Sequence, residues 1–426
     1  MFIFAAEIIQ MNFRLGQSQI KQIDKLLCNK FFGIIIFIGV IWIVFQATFG
    51  LGHYPMIWLT DLFFLFEHLL LQIIPEGAIR SLIINGILKG LGGIIIFVPN
   101  IIILFTALSL LEESGYMSRV AVIMNNMMQP VGLNGKSFMS LVMGFGCNVP
   151  AIMAAQRIEN KNSRIITTLI NPLMPCSSRF TVYVLFISAF FPDHPGTVLF
   201  FIYLASVAIA IVVSLLLKKY VFRSTAGIYN DYLPEFRLPR FKSTVKFMWQ
   251  NAIMFVKRIY APILIASVII WFLGYFPNNQ DNKNIESSYL GKTGKFIEPA
   301  IAPLGFDWRM GISLISGIAA KETIVGLMSQ LYQSEHQAGN DKKNLIESLQ
   351  NQTYLSGPKK GQRIFNPLVA LSFIFFVTIY TPCIGTLTTI HKTINRRKWT
   401  VFVIAYTTVL AWIVSFLIYN IGSYFI

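Results

Sequence analysis

Charge is scarce in this chain. Only 13% of its 426 residues are charged, 35 Lys and Arg against 19 Asp and Glu, where a soluble domain carries about 25%. That deficit excludes an ordinary soluble enzyme. Cysteine is equally sparse: Cys28, Cys147, Cys176 and Cys383 lie far apart with no CxxC, which excludes a zinc knuckle and a disulfide framework. The five histidines make no HxxxH or HExxH pattern and fall in stretches that read as solvated loops. Gly135-Lys136-Ser137 and Gly291-Lys292-Thr293 resemble the end of a phosphate-binding loop, but the upstream glycine such a loop needs is Pro130 in one and Glu286 in the other. No base stands beside a nucleophile at catalytic spacing, so no enzyme activity is expected of the chain. The N-terminus carries Glu7 in its short apolar run and no small-residue cleavage site, so it does not read as a leader peptide.

What the chain has instead is apolar length. Hydrophobic residues make up 55% of it and come in long blocks, and about 20 apolar residues cross the hydrocarbon of a bilayer as a helix. Seven blocks, 33–50, 91–111, 165–190, 197–217, 259–276, 365–390 and 398–422, read as spanning helices. Two more, 137–156 and 309–332, are interrupted by Gly, Pro or charge and read as broken or re-entrant segments. Irregular backbone at membrane depth survives only where protein or water covers it, so these two are expected to line a cavity. The fold class is therefore an all-α polytopic membrane protein with seven to nine membrane segments. The net charge of +16 fits loops retained on one side of a bilayer better than a nucleic-acid surface. With the N-terminus inside and both broken segments returning, 22 of the 35 Lys and Arg fall inside and 10 outside.

Four regions follow. Residues 1–32 form a cytoplasmic segment, 33–217 a first membrane half containing the break at 137–156, 218–258 a basic cytoplasmic linker with an amphipathic helix, and 259–426 a second half containing the break at 309–332. Each half shows a broken segment, then an Asn-Pro pair, then a Pro-Cys pair: Cys147, Asn171-Pro172 and Pro175-Cys176, then Lys321-Glu322, Asn366-Pro367 and Pro382-Cys383. Interrupted segments at corresponding places in two halves point to an inverted-repeat transporter with its site near the midplane.

The same residues carry the candidate chemistry. Pro175 and Pro382 each free a carbonyl beside a thiol, Cys176 and Cys383, offering hard oxygen next to soft sulfur. Gly144, Gly146 and Pro150 flank Cys147 and Asn148 in a polar interruption whose carbonyls and amide could face an ion. Lys321 and Glu322 lie together inside an apolar block, where charge is costly unless paired or wetted, and read as an intramembrane ion pair. Arg179 and the pair Glu112-Glu113 read as structural partners. Thiol, carbonyl and carboxylate suit a borderline divalent cation such as Fe(II), held weakly enough to leave. Met139, Met143, Met153 and Met174 surround the first break and read mainly as core filler.

At GFGCNVPAIMAAQRIENKNSRIITTLINPLMPCSSRF, ISGIAAKETIVG and YTPCIGTLTT the chain strongly resembles the membrane region of the bacterial ferrous-iron transport protein B family, from about Asp24 to the C-terminus. The blocks around Cys147 and Lys321 are similar to that family's paired gate motifs, a design shared with concentrative nucleoside transporters. The resemblance implies an Fe2+ permease of the cell inner membrane with no cofactor of its own. Cys147, Cys176, Cys383, Glu322 and Asn148 are then a transient Fe2+ path, and Gly144, Gly146, Pro150, Pro175, Lys321 and Pro382 the gate framework. It also implies a GTP-binding domain, which has no counterpart in this sequence and is expected on a separate polypeptide. A small accessory protein, a homo-oligomer and the lipid bilayer are the other expected partners, with no nucleic acid. A carrier of nucleosides or other solutes, or a non-transporting remnant, are the alternatives. Pro175 stands where the family commonly has a small polar residue.

Overall fold

A computed structural model describes residues 30–222, 241–277, 285–332, 342–353 and 361–425. The segment 1–29 with Cys28, and the centre of the basic linker, 223–240, lie outside the described residues. Among the described residues, seven helices are long and apolar enough to span a membrane, in the order expected. These are α1 (Lys30–Ile73), α2 (Ala78–Glu113), the broken pair α6 (Lys161–Ile170) and α7 (Ser177–Phe190), α8 (Pro195–Leu216), α9 (Phe241–Tyr275), the broken pair α14 (Pro367–Ile379) and α15 (Ile384–Ile394), and α16 (Arg397–Phe425). Shorter helices fill the order: α3 (Tyr116–Met128), α4 (Gly135–Gly144), α5 (Asn148–Ala155), α10 (Tyr289–Ile301), α11 (Trp308–Ala319), α12 (Thr323–Tyr332) and α13 (Lys342–Asn351).

Several threonines inside the spans bond within their own helices. Thr48, Thr106, Thr167, Thr378 and Thr407 each donate to the carbonyl four residues earlier, which satisfies a hydroxyl where no water is at hand. The outer surfaces are apolar, with Phe31, Trp42, Phe200 and Val401 all more than half exposed. In a soluble protein this would be a liability, whereas in lipid it is the solvent-matched state.

The two broken spans are the centre of the molecule. Their most apolar windows are 61% and 72% buried, against 11% to 28% for the other five. Tyr183 of α7 bonds Thr378 of α14 at 2.8 Å, and Phe186 packs on Phe373 with ring centres 5.0 Å apart. The remaining spans form the lipid-facing jacket.

The broken segments 137–156 and 309–332 are hairpins. Helices α4 and α5 have 10 and 8 residues, α11 and α12 have 12 and 10, each too short to cross at 1.5 Å per residue. Side-chain ties settle which face each hairpin starts from. At the base of the first, Gln156 donates to Thr393 at the end of α15, and Arg157 pairs with Glu112 at the end of α2. At the base of the second, Gln352 donates to Tyr332 O, while Gln350 donates to Ala189 O at the end of α7. The bases therefore sit on opposite faces, and the first lies on the face carrying Lys136, Arg157, Lys218, Lys392 and Arg396. Two copies of hairpin, broken span and plain span run in opposite senses: α4 to α8, and α11 to α16. This is the inverted repeat the sequence suggested.

Three expectations need correction. The first span does not end near residue 50: α1 continues to Ile73, about 66 Å at 1.5 Å per residue and twice the hydrocarbon thickness. The Asn-Pro pairs are not equivalent. Asn171-Pro172 forms a 3-10 turn in mid-span, whereas Asn366 caps α14, accepting from Val369 N at 2.8 Å, with Pro367 as its first residue. His53 and His68 lie well inside α1 rather than in or beside loops, though both are exposed as expected.

Candidate functional site

Four half-helices begin at the residues singled out by the sequence. Cys147, Cys176 and Cys383 each hold the capping position of a helix, α5, α7 and α15, with extended backbone. Glu322 immediately precedes Thr323, the first residue of α12. A helix start leaves backbone N–H groups without intrahelical partners and carries partial positive charge, so a sulfur or carboxylate there sits in a favourable field. The breaks have local causes. Pro175 and Pro382 lack the N–H that would continue the helix into Cys176 and Cys383. Pro150 falls in the first turn of α5, where its missing N–H costs nothing.

Two glycines let the hairpins meet the broken spans. A Cβ on Gly144 would lie 2.8 Å from Asn171 Oδ1 and 3.0 Å from Met174 Cβ, and one on Gly317 would lie 2.6 Å from Ile324 Cγ1 and press on the Tyr380 hydroxyl. Gly146 is nearly as tight, with Leu104 and Phe45 each 3.3 Å from such a Cβ. Each hairpin tip is then tied to its own broken span. Ser177 donates to Gly146 O through its N–H at 3.1 Å and its hydroxyl at 2.9 Å. In the second half, Lys321 Nζ donates to Thr381 O at 2.7 Å and lies 3.2 Å above the Tyr380 ring centre. Tyr380 in turn donates to Leu314 O of the hairpin at 3.2 Å.

Lys321 and Glu322 do not pair with each other. Adjacent residues at an unwound tip point different ways, and the buried ammonium is satisfied by a carbonyl 60 residues on. The expected intramembrane ion pair is thus replaced by a cation held on backbone oxygen and an aromatic face. Asn148 also differs from expectation. Oriented to donate, its amide reaches Gly144 O at 3.1 Å and Asn171 O at 3.2 Å, and it does not line the cavity below.

Cys147, Cys383, Lys321 and Glu322 line one cavity of about 450 Å³, together with Ser177 and Ser178. It extends along α2 and α9 to Asn85, Lys89 and Trp271, away from the basic face. Cys176 is buried just behind this wall, its sulfur 3.4 Å from the Ser178 hydroxyl, and Cys383 lies 3.2 Å from Thr386 Oγ1. All three thiols are free. Among the described residues no three His, Cys, Asp or Glu side chains stand close enough to hold a metal ion together. The cavity thus offers two thiols, a carboxylate and hydroxyls around a space rather than a closed coordination shell. Such a wall can strip part of the water from a borderline cation without trapping it.

Two charged groups were undervalued in the sequence. Arg179 is fully buried in the first turn of α7, where Nη1 donates to Met174 O at 3.2 Å while Nε and Nη2 have no partner. Asp307, outside the seven spans, caps α11 by accepting from Met310 N at 3.0 Å and from the Tyr332 hydroxyl at 2.6 Å. Burial pushes its carboxyl above the ordinary value despite both bonds. Its place just before a helical run was the legible signal.

Comparison with known proteins follows this geometry closely. A family model described as "Gate: Nucleoside recognition" matches residues 94–190 and 256–397, more than half of the chain. Each matched stretch holds one hairpin and one broken span. A second model, "Ferrous iron transport protein B C terminus", matches 199–251. The chain belongs to the gate-containing membrane region of the FeoB family.

Curated members of this family are similar along nearly the whole chain. A "Fe(2+) transport protein A/Fe(2+) transporter FeoB fusion protein" of Porphyromonas gingivalis is 38% identical over 460 residues, covering 99% of this chain and 54% of the relative. The Fe(2+) transporter FeoB of Staphylococcus aureus (strain N315) is 38% identical over 417 residues, 95% of this chain and 60% of its own length. That of Campylobacter jejuni is 38% identical over 409 residues, 93% and 64%. No solved structure gives a significant match. The chain thus spans little more than half to just under two thirds of these relatives. In gate terms, Cys147 and Lys321-Glu322 are the two hairpin tips, and Cys176 and Cys383 the two span breaks.

Proposed function

We propose that this chain is the permease part of a ferrous-iron uptake system in the bacterial inner membrane, with its basic face toward the cytoplasm. The observation that carries the reading is the cavity where Cys147, Cys383 and Glu322 meet at the tips and breaks of two opposed gates. Fe2+ is the substrate, not a resident cofactor. It enters from the face opposite the basic loops, exchanges part of its water for sulfur and oxygen, and is released inward when the tips move relative to the broken spans. GTP binding and hydrolysis belong to a separate domain or polypeptide, and the fusion of the Porphyromonas relative to an Fe(2+) transport protein A supports an accessory protein as a further partner. A homo-oligomer completes the proposed assembly.

The test is uptake of radiolabelled Fe(II), under reducing conditions, by bacteria lacking their own iron-uptake systems and expressing this chain with and without a GTP-binding domain from the same source. Cys147→Ser and Cys383→Ser are expected to lower uptake at least fivefold at equal amounts of folded protein. Unchanged uptake in both removes the thiols from the mechanism. The description of the matched gate family as nucleoside recognition favours one second reading, a nucleoside carrier. Saturable uptake of a labelled nucleoside, insensitive to Fe(II), would establish it instead.

A further inference from the structure

A second cavity of about 500 Å³ lies on the basic side of the first hairpin. Its wall holds Met117, Met139, Met143, Met153 and Met254, a third of the chain's 15 methionines, contributed by α3, α4, α5 and α9. Methionine that merely fills a core leaves no space beside it. Here all five line an open volume, although Met139 and Met153 also belong to apolar clusters and Met117 and Met143 pack against a third. The same wall carries three cationic groups: Arg157 pairs with Glu112 and Lys136 with Glu159 at 2.8 Å, while Arg258 keeps a buried Nη1 without a hydrogen-bond partner, so only an ion held by neutral soft donors could pause here and it could do so only weakly.

The two cavities are in line. Between them stands one apolar cluster, Phe105, Val149, Met153, Phe255 and Ile259. Val149, Phe255 and Ile259 also border the thiol cavity, whereas Phe105 and Met153 border the methionine cavity. The cluster is therefore a plug with one face toward each, and the first hairpin supplies part of it. A cation that passed Cys147 inward would next enter the methionine-lined cavity.

We infer that the methionine cavity is a second cation site, at which a borderline or soft cation pauses on thioether sulfur before release on the basic side. The inference rests on the proposed transport reading for its place in the path, but not for its chemistry. A thioether is neutral, needs no proton removed, and discriminates against hard ions such as Mg2+ and Ca2+ while holding a borderline ion only weakly. Those are the properties of a site from which an ion must leave.

Ag(I) tests the chemistry, because it binds thioether sulfur and undergoes no oxidation. The full chain is purified in lipid nanodiscs with Cys28, Cys147, Cys176 and Cys383 all changed to Ser, and Ag(I) binding is measured by equilibrium dialysis. One bound Ag(I) per chain is expected, at least tenfold weaker once Met139→Leu, Met143→Leu and Met153→Leu are added. Leu conserves the volume of Met, so the core survives, which circular dichroism and gel filtration verify. No Ag(I) bound to the folded cysteine-free chain, or equal binding with and without the three methionines, overturns the proposal. Its place in the path is tested with the cysteines intact. The triple Met→Leu chain should take up Fe(II) severalfold more slowly than the unmodified chain at equal amounts of folded protein. Unchanged uptake overturns that placement. If the unmodified chain carries no Fe(II), the transport reading fails, and the Ag(I) titration still decides the chemistry of the cavity.

Discussion

The Lys321 ammonium donates to Thr381 O across 2.7 Å. One bond thus joins the tip of the second hairpin to the break in the second central span, and it does so with a buried charge. The first half makes the corresponding joint with a neutral residue, Ser177 on Gly146 O. The two gates are alike in plan and unlike in strength.

Replacing Lys321 by Met keeps the length of the side chain and removes the donor. A hydrogen bond to a charged group contributes about 1.5–3 kcal/mol, and Thr381 O is left buried without this partner. Lys321→Met should therefore lower the thermal midpoint in detergent, while Ser177→Ala, which retains its backbone N–H bond to Gly146, should lower it less. Equal midpoints for the two variants would contradict the difference between the gates.

The glycines make a sharper contrast. Gly144→Ala and Gly317→Ala push a methyl group into Asn171 and Ile324, and overpacking of this kind costs about 1–3 kcal/mol. Gly39→Ala, on the lipid-facing side of α1 with nothing within 4 Å, should be neutral or stabilising by roughly 0.5–1 kcal/mol from helix propensity alone. Parallel melts of the three variants read the ordering directly.

Asp307 gives stability a pH dependence of known sign. Burial raises its carboxyl in the folded chain, so the fold holds this proton more tightly than the unfolded chain does. The stabilisation is fully present below the unfolded value and is lost as pH rises through the folded one. As pH rises above the ordinary aspartate value, the melting temperature of the unmodified protein should fall relative to that of Asp307→Asn, which can still accept from Met310 and Tyr332. A constant gap between the two curves would dismiss the effect.

Glu322 is the one carboxylate in the wall of the thiol cavity. Glu322→Gln preserves its size and removes its charge, so the Fe(II) concentration giving half-maximal uptake should rise severalfold with expression unchanged. A lower maximal rate at the same half-saturation would instead assign the residue to gate movement.

Much of this was legible in the primary structure because lipid imposes a simple rule, that apolar length spans and interruption marks a cavity. The seven spans, both hairpins and the capping cysteines follow from it. The continuation of α1 to Ile73 was not legible, since Pro55, Asp61, Glu67 and two histidines interrupt an otherwise apolar stretch and read as the end of a span. Nor was the partner of Lys321. Sequence places a carboxylate beside it, but folding brings a carbonyl from Thr381, and only the break at Pro382 hints that such oxygen is free. The methionine cavity was hidden for a related reason, as Met254 lies about a hundred residues beyond the other four.

The apolar plug between the two cavities has an electrical consequence. Where solvent fills both cavities, conducting electrolyte reaches inward from each side and the membrane voltage drops mainly across Phe105, Val149, Met153, Phe255 and Ile259. The full potential, about 2.3 kcal/mol per charge for each 100 mV, then acts over a few side chains instead of the whole bilayer. A divalent ion crossing the plug would gain nearly all of that energy in a single short step, and the thinner the plug, the stronger the local field within it.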